Sequence, residues 1–364
     1  MIQCIATTVK KKYNQTRSFL VQDALFFLII CILFLISFVV YPYPSVARWV
    51  GFFVAGYAAV GNDSIQTIGT FIASNRGKPW WLLWLFVGGI FLATMVYSWV
   101  VYNGDVTYGR LASKGFSTTP MTFSFLQVAA PVVLLILTRL KMPVSTTFLI
   151  LTAFSTSASS VAGVLIKSLT GYGLAFVVAI TVWWLVSKWV LRQSLTSSPR
   201  PIWRVAQWGT TGILWCVWLM QDAANITVYL PRQLSVIELI VFLTFIVLAL
   251  GFMLFKGGAK IQQVVEEKSR ISDVRSATII DFIYAVILFY FKLYSNIPMS
   301  TTWVFLGLLA GREMAMSWRQ TSGLTVGRAF RMSVKDARNA LIGLAISFLI
   351  ALGCNAAIRE ALFG

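Results

Sequence analysis

Two polar segments recur in an otherwise apolar chain, and their residue types suit ion binding. Gly61-Asn62-Asp63-Ser64-Ile65-Gln66-Thr67 and Gln221-Asp222-Ala223-Ala224-Asn225-Ile226-Thr227 each set an Asp among amides and hydroxyls. Each is followed by a proline element, Met142-Pro143-Val144-Ser145-Thr146-Thr147 and Ile297-Pro298-Met299-Ser300-Thr301-Thr302. The interval is 82 residues from Asp63 to Ser145 and 78 from Asp222 to Ser300, so motif, order and spacing all repeat. Carboxylates joined by Asn and Gln carbonyls, hydroxyls and freed backbone carbonyls make an all-oxygen set that suits a hard cation such as Na+. Proline favours the first helical position and a hydroxyl the cap before it. Each Pro-x-Ser-Thr-Thr element therefore reads as a helix start whose N–H groups and positive dipole end can hold an anion.

A carboxylate at the centre of a bilayer costs about 2.5–3.5 kcal/mol, and neither Asp motif contains Lys or Arg. A bound cation is the natural counter-charge, with Asn62, Asp63, Gln221 and Asp222 as the expected sodium site and the two carboxylates in contact with the metal ion. The alternative is a pair of protonated or water-solvated aspartates facing a cavity. The hydroxyls of Ser145, Thr146, Thr147, Ser300, Thr301 and Thr302, with Gln66 and Asn225, are expected to cradle a small oxyanion. The competing account is ordinary back-bonding of Ser and Thr to their own helix. Gly61 and the polar residues after it should interrupt their helix and free backbone groups; no such glycine precedes Gln221. An oxyanion held without arginine needs cations nearby, so binding of the two ions would be mutually favourable.

These motifs need a membrane scaffold. The chain has 364 residues, 58% hydrophobic and 12% charged, with a mean hydropathy of +0.79, which excludes a soluble enzyme. The absence of His removes histidine general bases, haem ligation and His-based zinc sites. Cys4, Cys31, Cys216 and Cys354 are scattered and read as small apolar residues. Eleven stretches approach the 20 apolar residues of a spanning helix: 19–42, 46–73, 79–102, 121–138, 144–165, 171–191, 204–230, 234–255, 277–293, 296–315 and 337–358. The fifth and tenth, rich in Ser, Thr and Gly, could instead be re-entrant. Lys10, Lys11, Lys12 and Arg17 before the first stretch place the N-terminus in the cytoplasm. Threading from there leaves Arg48, Arg110, Lys114, Lys167, Arg232, Lys292 and Arg359 outside and nearly all the rest of the 30 Lys and Arg inside. That asymmetry accounts for the net charge of +18 without nucleic acid.

Five stretches separate corresponding motifs, and an odd number inverts orientation. The expected fold class is all-α: a polytopic transmembrane helical bundle of two inverted-topology repeats of about five spans each, plus an extra N-terminal helix, with broken or re-entrant helices at the centre. The expected division is 1–45 for the tail and leading helix, 46–195 for the first repeat, 196–203 for a linker and 204–364 for the second repeat. Inverted repeats are a common build of secondary transporters, with the site near the midplane at the repeat interface.

The four motifs resemble those of the PiT family of inorganic phosphate transporters, whose halves carry Gly-x-Asn-Asp-x-x-Asn and Pro-Val-Ser-Thr-Thr. Asn62 and Asp63 match the first copy, and Gln66 stands where the family has Asn. Asp222 and Asn225 match the second, and Gln221 replaces its first Asn. Both Ser-Thr-Thr runs match, followed here by Phe148 and Trp303. The resemblance spans residues 46–315, though the matches are confined to the four motifs and the long central loop often seen in the family is absent. It implies a sodium-coupled phosphate symporter of the plasma (inner) membrane, working by alternating access, with a homodimer as the assembly; the alternative is a sodium- or proton-coupled carrier of sulfate or bicarbonate on the same scaffold. A passive anion channel on the same scaffold is the other reading, and buried acids argue against it. Partners are then a small inorganic anion, Na+ and membrane lipid, with no nucleic acid and no cofactor beyond the coupling ion.

Lesser features carry their own expectations. Asp23 and Glu313 are read as solvated anchors near the cytoplasmic interface, Glu238 as deeper and a candidate for a cation path, and Asp281 as lying in a span. The run from Ser155 to Ser160 should allow close helix packing or line a pathway, and Gly307 and Gly311 form a GxxxG pair. Trp80, Trp81, Trp183 and Trp184 are read as interfacial.

Overall fold

The computed structural model describes residues 24–112, 116–140, 142, 144–196, 199–257, 273–294, 298–355 and 358–360. The basic N-terminal segment with Asp23, Lys114, Lys141, Pro143, the centre of the expected linker and Ile297 lie outside the described residues. The described chain is helical and contains no strand. In order come α1 (Ala24–Val40), α2 (Pro44–Ala59), α3 (Ile65–Ser74), α4 (Trp80–Val101), α5 (Phe125–Arg139), α6 (Thr146–Leu149) and α7 (Ala158–Thr196). They continue as α8 (Pro201–Thr227), α9 (Val236–Phe255), α10 (Val274–Tyr294), α11 (Thr301–Trp318) and α12 (Val326–Cys354). Helices α4, α7, α9, α10 and α12 are each long and apolar enough to cross a membrane. The molecule has an all-α membrane fold.

Local chemistry sets the element ends. Pro44 and Pro201 occupy the first helical positions of α2 and α8. Ser124 and Ser235 form capping boxes with Gln127 and Glu238. Glu238 is thereby corrected: its carboxylate accepts from the Ser235 N–H at 2.8 Å, at a helix cap rather than along a deep cation path.

The fifth and sixth expected spans are also redrawn. Residues 144–165 do not form one helix. They supply the four-residue α6, a 3-10 turn at Leu151–Phe154 and the first turns of the 39-residue α7. The break falls in the serine-rich run, because these hydroxyls bond the local backbone in place of the helix ladder. Ser155 Oγ donates to Ser157 O at 2.9 Å and accepts from the Ser157 N–H at 3.3 Å. Asn355, at the far end of α12, donates to the Ser155 and Thr152 carbonyls. The run therefore ends one element and starts another.

Helices α7 and α11 lie side by side and run the same way. A Cβ at Gly307 would come within 2.3 Å of Tyr172 O, and one at Gly311 within 2.3 Å of Phe176 O, so only glycine admits this approach. The same interface buries Trp183, which is not interfacial: it is fully buried beneath the Arg312 guanidinium, 4.9 Å from its ring centroid. Arg312 pairs with Glu313 at 2.5 Å, and both are buried, so Glu313 is a paired interior charge rather than a solvated anchor. Trp80, Trp81 and Trp184 are exposed on the outer surface of the bundle.

Candidate functional site

The first Asp motif sits where one helix is locally widened. Val60–Ser64 forms a π-helical turn between α2 and α3, so Gly61 lies within a widening of the helix and not at the break expected there. Such bulges frequently mark functional sites. In the second copy α8 runs unbroken through Gln221 and Asp222 to Thr227. Asn62, Asp63, Gln66, Gln221, Asp222 and Asn225 are all buried, together with the six hydroxyl residues of the two proline elements.

Both aspartates are met by the first threonine of their own proline element. Thr146 Oγ1 donates to Asp63 Oδ2 at 2.5 Å, and Thr301 Oγ1 donates to Asp222 Oδ2 at 2.7 Å. Bonds between the halves interlock the two copies. Asn225 Nδ2 donates to Thr146 Oγ1 at 2.8 Å as well as to Asp222 Oδ1 at 2.5 Å. Thr302 Oγ1 donates to Asp63 Oδ1 at 3.4 Å, and Thr147 Oγ1 donates to Met299 O at 3.2 Å. Asn62 Nδ2 donates to Asp63 Oδ1 and to Val144 O, each at 2.7 Å. Asp63 and Asp222 are thereby joined through Thr146 and Asn225. Of the two accounts of the threonines, back-bonding does not describe Thr146, Thr147, Thr301 or Thr302. It does describe Thr67 and Thr227, which donate to Asp63 O and Ala223 O.

The two serines play a different part. Ser145 Oγ accepts from the Phe148 N–H and Ser300 Oγ from the Trp303 N–H, each at 3.3 Å, so both are N-caps. Helix α6 has four residues and little dipole to offer, whereas α11 has 18. The expectation of two equivalent half-helix ends is therefore corrected to one full helix and one short turn.

Three amide oxygens in this region are buried without a hydrogen-bond donor: Gln66 Oε1, Gln221 Oε1 and Asn225 Oδ1. Their nitrogens are engaged, Gln66 Nε2 with Asn62 Oδ1 at 3.0 Å and Gln221 Nε2 with Leu288 O at 2.9 Å. An acceptor buried with no donor costs on the order of 1–3 kcal/mol, and a cation relieves that cost. The donor set is carboxylate, amide and hydroxyl oxygen, which fits a hard ion such as Na+. No group of three His, Cys, Asp or Glu that could hold a metal ion is found among the described residues.

Sequence reasoning missed several side chains that support this centre. Trp218 Nε1 donates to Thr301 Oγ1 at 3.2 Å, Tyr284 Oη to Thr301 O at 2.9 Å, and the Ser300 N–H to Ser168 Oγ at 2.8 Å. Asp281 lies deep in the bundle, where Thr70 of α3 and Thr211 of α8 donate to its two oxygens at 2.6 and 2.5 Å. Arg110, in the loop between α4 and α5, is fully buried and feels the Asp222 charge. Burial pushes its guanidinium down to about 10, and Asp222 opposes that shift. Arg110 is thus a buried positive charge outside both motifs. Its signal in the sequence was its place among the few cations on the cation-poor side.

No protein-family model matches the chain, and no curated protein matches it in sequence. Among solved structures it is similar to one described as "The sodium-dependent phosphate transporter", with a TM-score of 0.57 and 16% identity over 87% of this chain and 98% of that one. At that identity the likeness carries the fold: this chain shares the all-α architecture of that structure.

Proposed function

We propose that the protein is a secondary active transporter that couples Na+ to the movement of a small inorganic oxyanion, phosphate first among them. The observation that carries this reading is the junction of Asp63 and Asp222, each bonded to its own threonine, beside three buried amide oxygens with no donor. Asn62, Asp63, Gln66, Gln221, Asp222 and Asn225 supply oxygens to sodium. Thr146, Thr147, Thr301 and Thr302, with the N-terminal N–H groups of α11, receive the anion; Ser145 and Ser300 shape the turns that present them. Gln66 and Asn225 move from the anion side to the cation side of the assignment, because their spare atoms are oxygens. The structural neighbour is described as sodium-dependent and as a phosphate transporter, which supports both ions.

In this reading residues 46–195 and 204–364 form two inverted repeats that rock about the shared site, with the N-terminus cytoplasmic in a plasma (inner) membrane and two copies forming a homodimer. A passive anion channel is disfavoured, since an anion path gains nothing from two buried carboxylates. The test is uptake of labelled phosphate, sulfate and bicarbonate into proteoliposomes with and without an inward Na+ gradient. Saturable, sodium-driven accumulation of one anion is expected. Uptake that merely equilibrates, at the same rate in choline as in sodium, refutes the coupling.

A further inference from the structure

Helix α12 is longer than a membrane span requires. Its 29 residues rise about 43 Å, against a hydrocarbon core of about 30 Å. The excess turns lie at its N-terminal end, ahead of the apolar stretch that begins at residue 337. There Arg328, Arg331, Lys335 and Arg338 are all exposed. Intervals of three, four and three residues set them in one stripe along the helix. Between Val326 and Leu341 these four cations stand against one acid, Asp336. Beside the stripe, at the same helical period, runs an apolar seam: Val326, Phe330 and Val334, all exposed, and then Leu341, Leu344 and Phe348.

From Leu341 onward the seam becomes one wall of a cavity of about 520 Å³. Val161 and Leu165 of α7 and Phe148 of α6 supply other parts of its lining. Two hydroxyl residues, Thr152 and Ser347, also border it, but their protons are spent on their own backbone. Thr152 Oγ1 donates to Phe148 O, and Ser347 Oγ donates to Gly343 O at 2.8 Å. An apolar cavity of about 150 Å³ already stays dry and takes up benzene, so this larger one calls for an apolar occupant. It opens on the outer surface of the bundle, since Leu341 and Phe348 are both lining residues and exposed. Arg338 precedes Leu341 by one helical turn, about 4.5 Å of rise, so the cation stripe ends where the cavity begins. A basic, amphipathic helix end attracts anionic headgroups, and a cavity in a bilayer-facing surface meets acyl chains. An anionic phospholipid satisfies both parts at once. A second copy of this face does not, because it would bring two cation stripes together.

We propose that α12 binds one anionic phospholipid, its phosphate held by Arg331, Lys335 and Arg338 and an acyl chain filling the cavity against α7 and Phe148. The chain would back α6, the four-residue helix that presents Thr146 and Thr147 to the central site. Binding itself does not depend on the proposed function and is read without transport. The delipidated full chain in detergent is given equal amounts of phosphatidylglycerol and phosphatidylcholine, and bound lipid is counted by native mass spectrometry. One phosphatidylglycerol per chain is expected, retained at least tenfold over phosphatidylcholine. Arg331→Gln/Lys335→Gln/Arg338→Gln should abolish that preference, and Arg331→Lys/Arg338→Lys should keep it. Leu344→Trp, which fills the cavity and spares every cation, should weaken retention at least tenfold. In the wild type, a phosphatidylglycerol with a photoreactive group in mid-chain should label the peptides holding Phe148 and Val161, so the result does not hang on any variant folding. Equal retention of the two lipids overturns the site, as does a preference that the triple Gln variant keeps. Labelling confined to other helices places the chain elsewhere and also overturns it, and so does a lipid-free dimer formed through this face.

Discussion

Thr146→Val removes one hydroxyl and leaves a side chain of nearly the same shape. That hydroxyl donates to Asp63 Oδ2 at 2.5 Å and accepts from Asn225 Nδ2 at 2.8 Å, so it joins the acid of one half to the amide of the other. A hydrogen bond to a charged group contributes about 1.5–3 kcal/mol and a neutral one about 1. The ordered state with Asp63 ionised should then lose roughly 3 kcal/mol. At 1.4 kcal/mol per factor of ten, sodium-driven uptake at subsaturating anion should fall about a hundredfold. Thr146→Ser keeps the hydroxyl and should stay within a few-fold of wild type. The assay is initial uptake of labelled phosphate into proteoliposomes under a fixed Na+ gradient, with thermal unfolding of each variant measured alongside. If Val transports like Thr, or if Ser is as damaged as Val while equally folded, the hydroxyl does not link the two halves.

Further outcomes follow from the same geometry. Asp63→Asn and Asp222→Asn should each abolish the sodium dependence of uptake, measured as initial rate against Na+ concentration; normal coupling in both rejects the cation assignment. Gly311→Val forces a side chain against Phe176 O and Ala179 Cβ, and overpacking of about 1–3 kcal/mol or more should lower the midpoint of thermal unfolding, with Gly209→Val as the open-space control. Arg312→Met takes from the buried Glu313 its 2.5 Å ion-pair partner. That should cost roughly 3–5 kcal/mol, most of it regained in Arg312→Met/Glu313→Gln, as read by denaturant unfolding in detergent.

The repeated motifs made the centre of the molecule legible, because two copies at matching intervals demand a shared junction. Pairing each Asp with the first Thr of its own element was implicit in that spacing. What the linear pattern hid was the division of labour inside the motif. Serine and threonine look alike as hydroxyls, yet Ser145 and Ser300 turn back to cap their helices while the threonines face the acids. Apolar windows also could not reveal that α7 would absorb part of one stretch and all of the next. The deciding bonds are those of Ser155 and Ser157 to local backbone, and Asn355 reaches them from 200 residues away. Arg110 was visible only as an exception to charge asymmetry, and Glu313 read as solvated because Trp183, the ring that covers its partner Arg312, is distant in sequence.

The interlocking of the halves gives the proposed coupling a physical basis. Asn225 of the second half holds Thr146 of the first, and Thr302 of the second holds Asp63 of the first. The halves cannot separate at this point without stripping donors from a buried carboxylate, and a bare buried carboxylate is costly. In the proposed function, sodium bound at Asp63 or Asp222 would replace those donors with a full positive charge and would free Thr146, Thr301 and Thr302 to donate to an oxyanion. Cation binding would therefore release the hydroxyls that the anion needs, so each ion raises the affinity for the other by the same factor. The consequence is measurable: sodium should lower the apparent Kd for phosphate, and phosphate should lower that for sodium equally. In Thr146→Val/Thr301→Val, where no hydroxyl is left to release, both shifts should shrink together. A variant that lost one and kept the other would break the thermodynamic cycle on which the scheme depends.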